Sequence, residues 1–228
     1  MNDLAQNIIE ELQCETVFTI PVLGGIPVSE AVVVTWIIMA VLVVIAFILT
    51  RNLKVDHISK RQAVAESIVT GLMNMVQGMV GEKGKAYVPY LTTVMLYIGV
   101  SNIIGLFGFK SPTKDLRVTV ALALMSIILI EAAGIYHKGV KRWLHGFVEP
   151  VAIVTPINIL EVVTKPLSLC MRLFGNVLGA FVIMELLKMI LPVGLPVVFS
   201  LYFDIFDGLL QAYVFVFLTS LYIDEITE

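Results

Sequence analysis

Five long apolar runs constrain the fold of this sequence more than any other feature. They lie at about 32–49, 87–109, 118–136, 151–191 and 197–223. A helix needs about 20 mostly apolar residues to cross a membrane, and each run is close to that length or longer. Charged residues are only 14% of the chain and collect mainly between the runs, so a soluble fold would leave too much apolar surface in water. The sequence therefore predicts an all-α integral membrane protein with about five transmembrane helices.

The segments around these runs predict a single membrane domain over residues 1–228. Two prolines and a glycine separate the fourth run from the fifth, which predicts a helical hairpin over residues 151–226. Residues 57–85 mix apolar and polar side chains at helical spacing, which is typical of a helix lying along the cytoplasmic membrane interface. Residues 1–30 are predicted to form an outer N-terminal segment.

The positions of Lys and Arg predict the orientation of the chain, because cytoplasmic loops carry an excess of these residues. They cluster in the loops after the first and third runs (Arg51, Lys54, Lys60, Arg61, Lys83 and Lys85, then Lys138, Lys141 and Arg142). Both loops are therefore predicted to be cytoplasmic. Five crossings then place the N-terminus outside and the acidic C-terminus in the cytoplasm.

Several classes of function find no support in the chain. Nucleic-acid binding needs a basic face, and no stretch supplies one. Neither Cys14 and Cys170 nor the histidines His57, His137 and His145 have metal-ligand spacing. We therefore expect no cofactor, no metal and no small-molecule substrate other than a transported ion.

Two further classes stay as alternatives with less support. An intramembrane enzyme needs a nucleophile with a base, or metal ligands, inside the spans, and no such spacing occurs. A self-contained secondary transporter predicts two related halves with broken helices, and we find no internal similarity. The chain is therefore expected to be non-catalytic by itself.

The fourth run carries an arginine near its middle, Arg172. Placing Arg at the centre of a membrane helix costs roughly 2.5–3.5 kcal/mol on insertion scales, so such residues usually have a partner or a function. A helical projection places other polar or small residues on the same face (Glu161, Lys165, Ser168, Asn176 and Gly179), and Glu185 on nearly the opposite face. The stripe around Arg172 must therefore face protein or water rather than lipid.

The fifth run has a matching stripe, formed by Ser200, Asp204, Asp207, Gly208 and Gln211. Counted from the short linker, the two aspartates lie nearer the outer surface than the arginine, and the glutamine lies close to its depth. Two interpretations follow. Either Arg172 pairs with an aspartate to hold the hairpin together, or the acids form a path from outside that stops at a permanent cation.

Four segments of the chain carry distinctive motifs. They are residues 165–176 (KPLSLCMRLFGN), 101–106 (SNIIGL), 111–119 (SPTKDLRVT) and 210–215 (LQAYVF). The first closely resembles the arginine signature of subunit a of F-type ATP synthases, and the other three resemble further segments of that family in the same order. Together they cover the chain from the second run to the C-terminus, whereas the N-terminal region matches only in hydropathy.

The resemblance implies a stator subunit of a rotary ATP synthase in the bacterial plasma membrane. Its partners would be a rotating ring of c subunits, the b-subunit peripheral stalk and the lipid bilayer. Two half-channels would connect the carboxylates of the ring to opposite sides, past two strongly tilted hairpin helices. The family's essential arginine corresponds to Arg172, its asparagine to Asn176 and its final-helix glutamine to Gln211. The coupling ion, H⁺ or Na⁺, stays open.

Two positions depart from the commonest family pattern. Nine residues after the arginine, where the family often has Glu or His, this chain has Phe181. Seven residues before the glutamine, where His or Glu is frequent, it has Asp204. One member of a polar pair is therefore missing, and Asp204 acts either alone or with Asp207 or Glu185. The residues expected to translocate ions are Arg172, Asn176, Gln211, Asp204, Asp207 and Glu185.

Overall fold

The computed structural model describes residues 16–20, 26–51, 53, 59–107, 109, 111–147, 155–190 and 194–227. Five helices in it are long and apolar enough to cross a membrane: Glu30–Thr50, Gly84–Phe107, Leu116–Lys138, Thr155–Leu187 and Val198–Thr227. Each lies within a few residues of one of the apolar runs. The predicted all-α membrane protein is therefore confirmed.

The structure divides these spans and their connections into named elements. In chain order they are strands β1 (Thr16–Ile20) and β2 (Ile26–Ser29), helices α1 (Glu30–Thr50), α2 (Lys60–Gln77), α3 (Val88–Ile103), α4 (Leu116–Lys138), α5 (Val140–Gly146), α6 (Thr155–Ile190) and α7 (Leu195–Ser200), a π-helix (Leu201–Asp207) and α8 (Gly208–Thr227). Short 3₁₀ turns precede α3, follow it, and precede α4.

Strands β1 and β2 form an antiparallel hairpin that the sequence analysis did not predict. The β-branched and aromatic residues of β1 favour an extended chain, but two such short segments give little periodic signal. The Ser29 hydroxyl, at the end of β2, donates to Asp115 Oδ2 at 2.9 Å. This hydrogen bond connects the end of the hairpin, just before α1, to the start of α4. The first 15 residues of the predicted outer segment lie outside the described residues.

Helix α2 occupies most of the segment expected to lie along the membrane interface. Ser59 caps it by accepting a hydrogen bond from the Gln62 backbone N–H at 3.3 Å, which satisfies one of the free donors of the first turn. Its apolar residues Val64 and Ile68 are exposed. The segment is helical from Lys60 to Gln77, and its location at the membrane interface stays a prediction.

Helix α4 is the centre of the fold. Helix α6 packs mainly against α4, and α8 packs against α3 and α4, whereas α6 and α8 touch at few positions. The core between these helices contains large, fully buried apolar side chains, namely Leu91, Ile98, Ile130, Leu169, Phe215 and Ile223. The two hairpin helices are therefore separated along much of their length, which leaves room for cavities between them.

Candidate ion-translocation site

Arg172 lies on the side of α6 that faces away from the core of the chain. Its neighbours Leu169 and Leu173 are fully buried, whereas Arg172 itself is exposed. Within the described ranges it has neither an ion pair nor a hydrogen bond. The structure therefore does not contain the ion pair between Arg172 and Asp204 or Asp207 that one of the two interpretations requires.

The predicted acidic residues meet instead in a cavity of about 410 Å³, here called the outer cavity. Its polar lining residues are Asn102, Ser111, Lys114, Glu185, Ser200, Asp204, Asp207 and Gln211. Glu185 joins the two aspartates because it projects from α6 on the side away from Arg172. The structure thus brings together the three carboxylates and Gln211, and it leaves Arg172 outside their cavity.

Two hydrogen bonds hold the aspartates in this cavity. Asn176 Nδ2 donates to Asp207 Oδ2, and Ser200 Oγ donates to Asp204 Oδ2 at 2.7 Å. The first bond also shows which positions of the two helices lie at the same depth. One helical turn from Asn176 leads to Arg172 and one turn from Asp207 leads to Gln211, so the arginine and the glutamine lie at similar depth in antiparallel helices.

Gln211 itself is 8% exposed, and its Oε1 atom has no hydrogen-bond partner in the part of the chain that the structure describes. A buried amide oxygen normally accepts a hydrogen bond. Gln211 is therefore available to accept one from a group that approaches α8 at this depth.

Both aspartates belong to the π-helix Leu201–Asp207, which the sequence analysis treated as part of a regular helix. A π-helix has i→i+5 hydrogen bonds, and single π turns within α-helices frequently occur at functional sites. Here the wider turn carries Asp204 and Asp207 toward the outer cavity. Aromatic rings of this segment stack on one another, and the ring centroids of Tyr202 and Phe206 lie 5.4 Å apart.

A buried hydrogen-bond network anchors the end of the π-helix. Asn102 Nδ2 donates to the Gly208 carbonyl oxygen at 2.9 Å, and Thr113 Oγ1 donates to Asn102 Oδ1 at 2.7 Å. Ser111 lies 2.7 Å from Thr113 and donates to the Ser101 carbonyl oxygen. Asn102 and Ser111 also line the cavity. They belong to the SNIIGL and SPTKDLRVT segments, which were noted only for their resemblance.

A second cavity, of about 440 Å³ and here called the inner cavity, lies at the opposite end of α4. Its charged and polar lining includes Glu131, Lys138, Arg142, Trp143, Asn158, Glu161, Lys165 and Glu225. Trp143 Nε1 donates to Glu131 Oε2 at 2.9 Å. Lys165 Nζ lies 3.1 Å from Glu225 Oε2 and 3.7 Å from Glu161 Oε2, so an ion pair links α6 to the end of α8.

Comparison with known proteins agrees with the resemblance of the sequence. The family model for the ATP synthase A chain matches residues 32–224. ATP synthase subunit a of Moorella thermoacetica is 35% identical over 203 residues, which cover 88% of this chain and 92% of that protein. The sodium ion specific ATP synthase subunit a of Propionigenium modestum is 34% identical over 215 residues, which cover 87% of this chain and 74% of that protein. The chain therefore belongs to the ATP synthase A chain family, that of subunit a of F-type ATP synthases.

Proposed function

We propose that this chain is the ion-translocating stator subunit of a rotary ATP synthase, with the two cavities as half-channels and Arg172 as the electrostatic gate between them. The position of Arg172 carries the proposal. On α6, residues 158–165 line the inner cavity and residues 177–185 line the outer cavity. Arg172 lies in the gap, which spans roughly 18 Å of helix at 1.5 Å per residue.

The exposed side of α6 supports docking of a partner at the arginine. Ser168 and Gly175 are exposed beside Arg172, and a Cβ atom added at Gly175 or Gly179 would meet nothing within 4 Å in this chain. Small residues allow a neighbouring helix to approach closely in a membrane. We therefore place the c-subunit ring against this side of α6, with the b-subunit stalk and lipid around the remainder of the chain.

The gate acts through charge. Arginine stays protonated at physiological pH, so a ring carboxylate that arrives opposite Arg172 is favoured in its ionised form and releases its ion. An ionised carboxylate facing lipid is costly, so the ring subunit must bind a new ion before it rotates on. The same positive charge prevents ions from passing directly between the half-channels. In the assembled enzyme, Gln211 Oε1, which has no hydrogen-bond partner among the described residues, would accept a hydrogen bond from the guanidinium and position it.

The outer cavity supplies ions to the ring, and the inner cavity receives them. Asp204 and Asp207, with Glu185, attract or relay ions from outside. An electrical potential of 100 mV supplies roughly 2.3 kcal/mol per unit charge, so several ions must pass for each ATP made. We propose that the chain works in the bacterial plasma membrane with its N-terminus outside and its C-terminus in the cytoplasm.

We propose protons as the coupling ions, with Na⁺ as a second candidate because a similar protein is named as sodium ion specific. The test uses the holoenzyme in vesicles, with ATP-driven acidification measured in nominally Na⁺-free buffer. Acidification without Na⁺ supports proton coupling. ²²Na⁺ uptake that is driven by ATP and persists with a protonophore, in the absence of acidification, supports sodium.

Asp207→Asn is expected to slow gradient-driven ATP synthesis by at least about tenfold, because a positioned proton-transfer group typically contributes about 10²–10⁴-fold. The substitution keeps an oxygen that can accept from Asn176 and removes the charge. Asp204→Asn is expected to alter the pH dependence of synthesis. Glu66→Gln on the exposed surface of α2 is the control and should match the wild type. Unchanged rates and pH profiles in both aspartate variants would remove these residues from the relay.

A further inference from the structure

Lys114 brings a positive charge into the otherwise acidic outer cavity. Its Nζ atom lies 4.4 Å from the centroid of the Phe181 ring, in the arrangement of a cation–π contact. Among the described residues that line the cavity, Lys114 is the only basic one, and it shares the space with Glu185, Asp204 and Asp207. The ring thus holds an ammonium group in the same cavity as three carboxylates.

The backbone around Lys114 is held in place on both sides. Lys114 ends the 3₁₀ turn Pro112–Lys114, and its backbone N–H donates to the Ser111 carbonyl oxygen at 3.0 Å. The preceding Thr113 is fully buried and bonded to Asn102, and the following Asp115 is buried and accepts from Ser29. Asp115 follows Lys114 in sequence, but its carboxylate is bonded to Ser29 and it does not line the cavity.

Among the described residues, the hydrogen-bond partners of the two aspartates carry no charge. The side chains that donate to Asp204 and Asp207 are those of Ser200 and Asn176, which are neutral. Carboxylate oxygens with their charge intact are the ligands that small inorganic cations prefer. An ammonium group held in the same cavity repels such cations through its charge.

We propose that Lys114 is the resident positive charge of the outer cavity, and that its ammonium group opposes the entry of Na⁺ and similar cations into the ion path. The inference rests on the proposed function of this cavity as the entry half-channel. At an effective dielectric constant of about 20, a unit charge within roughly 10 Å changes the affinity for another cation on the order of tenfold. Removing the ammonium charge therefore raises the affinity of the cavity for Na⁺.

The test replaces Lys114 in the holoenzyme and follows ATP synthesis driven by an imposed ion gradient in vesicles. Na⁺ is varied against N-methylglucamine at constant ionic strength on the side to which the outer cavity opens. In Lys114→Gln, the Na⁺ concentration that has half its maximal effect on the rate should fall on the order of tenfold. The same decrease in the half-maximal Na⁺ concentration is expected if Na⁺ inhibits a proton-coupled enzyme and if it drives a sodium-coupled one. Lys114→Met is a second neutral variant.

Two control variants separate charge from structure. Lys114→Arg keeps the cation and should restore the wild-type Na⁺ response. Arg117→Gln removes an exposed cation close in sequence that does not line the cavity, and it should also behave as wild type. If both neutral Lys114 variants respond to Na⁺ as the wild type does, the inference is wrong while the proposed function stands. A wild-type holoenzyme that makes no ATP under the gradient overturns both.

Discussion

Arg172→Lys is expected to reduce ATP-driven ion pumping by the holoenzyme at least about 100-fold. Lysine keeps the positive charge but lacks the planar, five-donor guanidinium that binds a carboxylate and an amide oxygen at once. Arg172 is exposed on α6 at the depth of Gln211 Oε1, which has no hydrogen-bond partner in the described part of the chain. Under the proposed function, the guanidinium must therefore reach both acceptors. Pumping is measured by dye quenching in reconstituted vesicles.

Arg117→Lys makes the same chemical change at an exposed position near the start of α4 and should leave pumping unaffected. Arg172→Gln, which removes the charge, should in addition raise passive ion conduction through the membrane sector, because the barrier between the half-channels is lost. Pumping by Arg172→Lys near the wild-type rate would show that the gating role is wrong.

Gly208→Ala is expected to abolish most coupled transport and to lower the thermal stability of the assembled membrane sector. A Cβ atom at this position would lie 2.8 Å from the Asn102 Cβ atom, a contact that forces α8 away from α3. Overpacking of a well-packed core typically costs about 1–3 kcal/mol. The shift would also break the bond from Asn102 to the Gly208 carbonyl oxygen, which holds the end of the π-helix and thereby both aspartates.

The matched control for this substitution is Gly71→Ala on the exposed helix α2, where an added Cβ atom meets nothing within 4 Å. Alanine is favoured over glycine inside a helix by about 1 kcal/mol, so this variant should be as stable as the wild type or more so. The measurements are the melting temperature of the purified holoenzyme and its pumping rate. A Gly208→Ala enzyme that pumps normally would contradict the tight approach of α3 and α8.

Hydropathy predicted the five spanning helices because crossing a membrane imposes a minimum apolar length that few other folds share. The sequence also singled out Arg172, since it lies near the middle of a long apolar run, where a charge is costly. Helical projection also separated Glu185 from Arg172 by roughly 140°. The structure agrees with this separation: Glu185 lines the outer cavity, whereas Arg172 faces away from it.

Other parts of the site depend on contacts between distant segments. The π-helix has no distinct sequence pattern, and it is held by Asn102, which lies 106 positions before Gly208. The inner cavity combines residues of α4, α5, α6 and α8, and the sequence alone does not show that charged residues so far apart in the chain share one cavity. The β-hairpin is too short for periodicity to identify it.

The exposed guanidinium of α6 also bears on how the subunit is made. A newly inserted copy has to hold Arg172 in the membrane before any ring is present, at a cost of roughly 2.5–3.5 kcal/mol. Under the proposed function, a ring carboxylate that docks at this side of α6 relieves that cost, so the same charge would favour assembly as well as act as the gate. We therefore expect unassembled copies to be short-lived in cells, and neutralising Arg172 to prolong the survival of orphan subunits even as it removes their function.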